Sequence, residues 1–292
     1  MRIKVYQING NRDVNNVKFM DYDLISEHGG VVPSAYKHVY AGDIEAKHLD
    51  DIFIALNAPS PRPGTFQGHS LSLSDVVEVV GDIPEVYGKI DFLYAGEDHI
   101  GKVGETVFYT DPEKYRLEIE ESLDCGRPIQ ASILEDQHLK LVEEGFYFCD
   151  SIGWKKIDFD STQCEDMDGL RALMVYPHKP PIETRVVDDY RKWQLAVSKE
   201  GEDALMETTY PFEDSVVIVG NDSAKLIGME GNRHINGCVF AGQFFIVGDD
   251  CHGGFCDLND EQIETYTKMF EQPEDISPEE VQDDCGFTIF SW

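Results

Sequence analysis

The sequence predicts an α+β protein of two small domains, each a mainly antiparallel sheet with one or two packed helices. Three observations predict it. Short apolar and β-branched runs bounded by glycine, proline or acidic turns recur along the chain, and only four stretches between them carry helical spacing. The 292 residues suffice for two domains of ordinary size. A content of 41% apolar and 11% aromatic residues supplies a core, which separates this acidic chain from a disordered one.

The first domain is expected over 1–160. Ile3 to Ile8 reads as a strand, and Val17-Lys18-Phe19-Met20 with Tyr22 and Leu24 as a second. Leu49, Ile52, Phe53 and Leu56 recur at helical spacing, and the proline-rich stretch Asn57 to Gly64 stops that helix. Val76 to Val80 is a β-branched run closed by Gly81. Thr106 to Thr110 is a further strand, after which Asp111, Pro112 and Glu113 supply a cap, a first-turn proline and a first-turn acid. Tyr115, Leu117, Ile119 and Leu123 form the apolar side of the helix that follows. A hairpin of 145–150 and 153–157 ends the domain.

A polar stretch at 161–168 reads as a linker, and the second domain occupies 169–272. Leu170 to Tyr176 is a strand, and Pro177 to Pro181 a turn. Asp188 to Val197 is a helix with acids at its positive end and Trp193 and Val197 on one face. Val216 to Val219 and Lys225 to Ile227 flank Gly220-Asn221-Asp222-Ser223 like the arms of a hairpin, and Val239 to Val247 is the strongest strand signal of the chain. Leu258 to Phe270 is a helix capped by Asn259 or Asp260. The remainder, 273–292, is an acidic tail with the apolar end Phe287 to Trp292.

Chemistry-bearing clusters are few. Seven scattered cysteines fit reduced thiols better than a disulfide framework. Cys251, His252 and Cys256 form half of a metal site at most, because no second close cysteine pair exists, so a glycine-rich turn is the preferred reading. His69, Ser70, Ser72, Ser74 and Asp75 hold the components of an acyl-transfer triad. Adjacent strand residues face opposite ways, however, and no nucleophile elbow is present, so turn and capping roles are expected and no catalytic residue is assigned. Asn232 and Arg233 could present a guanidinium to a carboxylate or phosphate, with an internal salt bridge as the plainer reading. No phosphate-binding glycine loop occurs, and no cofactor is expected. No apolar run approaches the roughly 18 residues of a membrane span, so a cytoplasmic location without membrane contact is expected.

Charge is the feature furthest from the ordinary. The 56 acidic and 24 basic residues leave a net charge of -32. Residues 1–160 hold 29 acids and 15 bases, whereas 201–292 hold 20 acids and only 3 bases. Such a field repels phosphates, so direct nucleic-acid binding is not expected.

Two stretches of the chain resemble known families. Met1 to Asn9, Gly68-His69-Ser70-Leu71-Ser72-Leu73-Ser74-Asp75-Val76-Val77 and Phe146 to Trp154 resemble the YodL-like domain of Firmicutes conjugative and plasmid-borne proteins, with 81–141 as an insertion. Tyr210 to Asp214, Gly228 to Arg233 and Ala241 to Gly248 resemble a domain of unknown function common in phage and mobile-element proteins, over about 168–272. The resemblance implies no catalytic motif; it implies an accessory protein of a mobile genetic element, and the small YodL protein is associated with interference with actin-like cell-shape proteins. The function expected is non-enzymatic: inhibition of a host or defence protein whose basic groove accepts an acidic mimic of DNA. The expected contact residues are Glu213, Asp214, Asp249, Asp250, Glu264, Glu271, Glu274 and Asp275, with Asn232 and Arg233. A solvated acidic face, a modulator of actin-like proteins and a metal-dependent regulator or enzyme are the alternatives.

Overall fold

The computed structural model describes residues 1–58, 62–93, 104–134, 139–199 and 204–284. Its first half holds β1 (Arg2–Ile8), α1 (Tyr22–Glu27), β2 (Tyr36–Asp43), α2 (Leu49–Asn57), β3 (Val76–Gly81), β4 (Gly88–Phe92), β5 (Thr106–Tyr109), α3 (Pro112–Asp124), β6 (Ile129–Ile133), β7 (Gly145–Cys149) and β8 (Trp154–Ile157). Five strands form one antiparallel sheet in the order β2-β1-β3-β7-β8. Side chains alternate across it. Ile3, Val5, Val77 and Val79 pack against Ile52 and Leu56 of α2, while Tyr6, Ile8, Val76 and Phe148 pack against Ile25 of α1 and Phe159. A capping box between His48 and Asp51 starts α2.

The strand expected over Val17 to Leu24 is instead a turn followed by α1. Asp13 accepts the Val17 and Lys18 amides (3.0 and 2.9 Å) and Asp21 accepts that of Leu24 (2.9 Å). These side-chain acceptors favour a turn and a helix N-terminus over a ladder.

Between the neighbouring strands β3 and β7 the chain makes an excursion. There β5, β4 and β6 form a separate three-stranded sheet covered by α3, with a small core of Ile90, Phe92, Tyr109 and Tyr115. Asp111 caps α3 through the amides of Glu113 and Lys114. The buried side of α3 is Tyr115 and Ser122 with Ile119 packed beside them; Leu117 and Leu123, expected on that side, are exposed. A three-stranded sheet is too narrow to cover all four apolar positions of this helix.

The second half holds β9 (Leu170–Val175), β10 (Ile182–Val186), α4 (Tyr190–Val197), β11 (Met206–Thr209), β12 (Val216–Asn221), β13 (Gly231–Ile235), β14 (Cys238–Ala241), β15 (Phe244–Asp249), β16 (Phe255–Cys256), α5 (Asp260–Phe270) and α6 (Pro278–Asp283). The order β10-β9-β15-β12-β11, with β16 beside β15, makes an antiparallel sheet with a helix on each face. Met174, Val217, Phe245 and Val247 meet Trp193 of α4; Leu173, Val175, Ile218 and Ile246 meet Tyr266 and Phe270 of α5. Both faces are covered, so the central strands read as unbroken apolar runs. Each fully buried Val, Ile or Phe contributes roughly 1.5–3 kcal/mol of transfer free energy.

Two expectations are corrected in this half. The run Val239 to Val247 is two strands, because Gly242 turns the chain with φ of 71°, where a Cβ would also lie 2.4 Å from Met229 Cε. Lys225 to Ile227 is part of a turn, where Asn221 Oδ1 accepts the Ser223 amide (3.0 Å), and β12 pairs instead with β11 and β15. The acidic tail also carries structure: Ser277 caps α6, and Ile276 and Val281 pack against Met229 and Val239. Its apolar end, Phe287 to Trp292, lies outside the described residues.

The stretch expected as a linker is packed against the edge strand β2. His38 N donates to Glu165 O (2.8 Å), and Glu165 N to Tyr36 O (2.9 Å). Gln67 exchanges two hydrogen bonds of 2.8 Å with the Asp168 backbone. Farther along, Thr184 Oγ1 donates to Ala41 O (3.2 Å), and Arg2 to Pro181 O (2.9 Å) and Asp43 Oδ2 (2.9 Å). The two sheets thus meet edge to edge, β2 beside β10.

Candidate functional site

In the first half, the loops around β1, β3 and β7 converge. Asp75, 1% exposed, accepts the Ser72 amide (2.8 Å) and Gln7 Nε2 (2.9 Å) on Oδ2, and Gln7 Oε1 accepts the His69 amide (2.9 Å). Burial pushes the Asp75 carboxyl up to about 8, against the opposing pull of those hydrogen bonds. His69 Nδ1 stands 3.9 Å from that carboxylate and 2.7 Å from Ser70 O, and burial lowers the imidazole's pKa. Ser70 Oγ accepts from Arg62 (2.6 Å). Ser74, with φ of 71°, accepts the Phe19 amide on Oγ (3.0 Å) and the Tyr36 hydroxyl on its carbonyl (2.9 Å). Tyr22 N donates to Asp150 Oδ1 (3.1 Å). The Gly-His-Ser-Leu-Ser-Leu-Ser-Asp block therefore acts as a buried clasp that locks three loops together. Among the described residues no serine hydroxyl of the block bonds His69, and those hydroxyls are engaged in turn and capping contacts.

In the second half, the eight acidic residues expected as contacts separate into two groups. Among the described residues, exposed Glu213, Glu264, Glu271 and Asp275 make no ion pair and no side-chain hydrogen bond. The other four hold the fold. Asp214 accepts the Tyr266 hydroxyl (2.5 Å), and Asp249 accepts the Cys251 amide (2.7 Å). Asp250 accepts the amides of His252 and Gly254 (2.7 and 2.8 Å), contacts that lower its pKa. Glu274 takes His234 Nδ1 (2.5 Å) while Glu280 takes Nε2 (3.1 Å), and this pair of carboxylates raises the imidazole's pKa.

Little positive charge offsets these acids. Of the three cations in this region, Lys225 pairs with Asp284 (2.5 Å) and Lys268 lies in the last turn of α5. The third, Arg233, corrects two expectations. It is 1% exposed, so it cannot meet a partner at the surface, and among the described residues it pairs with no carboxylate. Its guanidinium donates to the carbonyls of Asn232 (2.8 Å), Lys179 (2.7 Å) and Phe270 (2.8 Å) and to Asn232 Oδ1 (3.0 Å). Asn232 is fully buried too, donating to Val175 O (3.0 Å) and Gly242 O (2.7 Å). Both residues fasten the β13–β14 hairpin and the end of α5 to the sheet. Charge type alone drew attention to them; only tertiary packing reveals that carbonyls surround them.

Cys251 and His252 are exposed in the turn between β15 and β16, and Cys256 is half-buried in β16. Asp249 and Asp250 close this turn. Among the described residues no group of three or more His, Cys, Asp or Glu side chains is placed to hold a metal ion, and no helix is long and apolar enough to cross a membrane.

Residues 2–93 match the YodL-like domain family. Residues 170–271 match a family described as a domain of unknown function, DUF3846. Both resemblances read from the sequence are thereby borne out, although the first match runs past Gly81, stops within the sheet of β4, β5 and β6, and does not reach the hairpin of β7 and β8. No curated protein and no solved structure matches the chain.

Proposed function

We propose that this chain, a YodL-like domain followed by a DUF3846 domain, is a non-enzymatic accessory protein of a mobile genetic element. In this reading its acidic C-terminal face occupies the basic groove of a host or defence protein. One observation carries the reading. Glu213, Glu264, Glu271 and Asp275 are exposed and bound by no cation among the described residues, and of the three cations in 201–292 one is buried and one is already paired. Uncompensated carboxylates on a rigid scaffold supply the charge array that a nucleic-acid-binding groove recognises, and such complementarity governs encounter rate and selectivity. Asp214, Asp249, Asp250 and Glu274 add charge to this face while one oxygen of each aspartate and both oxygens of Glu274 hold the fold.

The test is affinity purification of the tagged full chain from a host lysate at low and at high salt. It is run beside a variant carrying Glu213→Lys, Glu264→Lys, Glu271→Lys and Asp275→Lys. The reading predicts a nuclease or other DNA-binding protein held at low salt, shed at high salt and lost from the variant. Equal capture by both proteins would overturn it. The match of residues 2–93 to the YodL-like domain favours a second reading, modulation of an actin-like cell-shape protein by the first half of the chain. Recovery of an actin-like protein, held equally by the charge-reversed variant, would support that one.

A further inference from the structure

Past residue 271, where the DUF3846 match ends, the chain folds back on the β13–β14 hairpin as a strap over 272–284. The apolar side of the strap is Ile276 and Val281, packed against Ala224, Met229, Val239 and Ala241. The fit is close: a Cβ on Gly231 would lie 2.6 Å from Ile276 Cβ and 3.1 Å from Val281 Cγ2.

Carboxylates of the strap close both edges of the hairpin. His234 and Val239 are paired in its register, yet His234 N donates to Glu274 Oε1 (3.2 Å) and Val239 N to Asp284 Oδ2 (2.8 Å). A two-stranded ribbon leaves such amides open on each side, and here the strap supplies their acceptors. Lys225 holds Asp284 in place (2.5 Å).

The His234 ring ties the start of the strap to α6. Its Nδ1 lies 2.5 Å from Glu274 Oε2 and its Nε2 3.1 Å from Glu280 Oε1. A carboxylate on each ring nitrogen demands two N–H donors, and only the imidazolium has both. The neutral ring keeps one N–H, so one of the two carboxylates then faces a lone pair. The two acids, Glu274 foremost, accordingly raise the imidazole's pKa. The remaining charged groups around the ring do not replace its proton. Asp284 is held by Lys225, and the neighbouring Arg233 turns its guanidinium to buried carbonyls. Glu271, Asp275, Glu279 and Asp283 are exposed acids, and His178 stands by Glu230 (3.7 Å) ahead of β13.

We propose that His234 is a proton-operated latch: the imidazolium joins Glu274 to Glu280 and holds the strap on the hairpin, and loss of its proton frees one carboxylate and loosens the strap. The latch is complete below the ordinary histidine value of about 6.5 and is lost as pH rises through the higher value of the docked state. Loosening uncovers the apolar surface of Met229 and Val239 together with the two edge amides. Glu274 and Asp275 of the acidic face ride on the strap, but the latch itself requires no partner.

The experiment is hydrogen exchange of the full chain between about pH 6 and 8.5, corrected for the intrinsic pH dependence of exchange and read at the Val281 and Asp284 amides, which bond Ser277 O and Glu280 O. Their protection should fall roughly three- to tenfold across this range, with the midpoint at which the His234 ring titrates by NMR, while the Val217 to Val219 amides of β12 show no such step. His234→Gln should have the weaker protection at every pH and no step, and Glu280→Gln a smaller step. His178→Gln should keep the step whole. Protection that is flat with pH, a step that persists in His234→Gln or vanishes in His178→Gln, or a step shared by β12 would each overturn the proposal.

Discussion

Asp75→Asn isolates the physical role of the loop clasp. The Asp75 carboxyl sits at about 8 in the folded protein, against 3.8 for an ordinary aspartate. The folded state therefore keeps a proton that the unfolded chain releases, and stability falls as pH rises toward 8 by about 1.4 kcal/mol per unit. His38 opposes this at lower pH: burial pulls its imidazole down to about 4 from 6.5, so its contribution grows with pH up to 6.5 and is then complete. His234, whose pKa is raised by Glu274, loses stability with rising pH in the same sense as Asp75. The clean window is pH 6.5 to 8, with wild type and variant compared at every point so that His234 cancels. Over those 1.5 units the wild type should lose on the order of 2 kcal/mol more than Asp75→Asn, whose side-chain oxygen still accepts from Ser72 N and Gln7 Nε2. Guanidinium unfolding followed by tryptophan fluorescence measures both curves. Parallel curves across the window would refute the assignment of a protonated, buried Asp75.

Further predictions concern the architecture. Gly64→Ala forces a Cβ into the Ala196 backbone, so the junction should separate; faster proteolysis of the 158–168 segment in the variant is the expected readout. Arg233→Ala strips donors from the carbonyls of Asn232, Lys179 and Phe270 and should cost at least about 3 kcal/mol, measured by denaturant unfolding, without itself adding or removing surface charge at the acidic face. Residues 85 and 140 already face each other in an antiparallel bridge. Replacing 87–138 by an Asn-Gly turn should therefore leave the five-stranded sheet folded, with β1 to β3 amides still protected in hydrogen exchange.

Where a local signal and the tertiary environment agree, the sequence is legible. The caps of α3 and α5, the β-branched run of β3 and the helical spacing of α2 all fall where residue types place them. β2 and β10 were not read from the pattern: they run along the junction, where Thr184 bonds Ala41 O and Ala41 packs into the core of the second half, contacts that no local pattern encodes. The split of Val239 to Val247 depends on one glycine, whose left-handed turn is invisible in an otherwise apolar run. Arg233 illustrates the limit for sites: a scarce guanidinium reads as a binding group until its three carbonyl partners, far apart in sequence, are seen around it.

The most direct test of the acidic-face account is the salt dependence of affinity for the captured partner, measured for wild type and for the fourfold lysine variant. If the face takes the place of nucleic acid, the logarithm of affinity falls steeply and linearly with the logarithm of salt concentration, duplex DNA competes for the same groove, and the variant shows no binding. A flat salt response, or simultaneous binding of DNA and this chain to the partner, would contradict it.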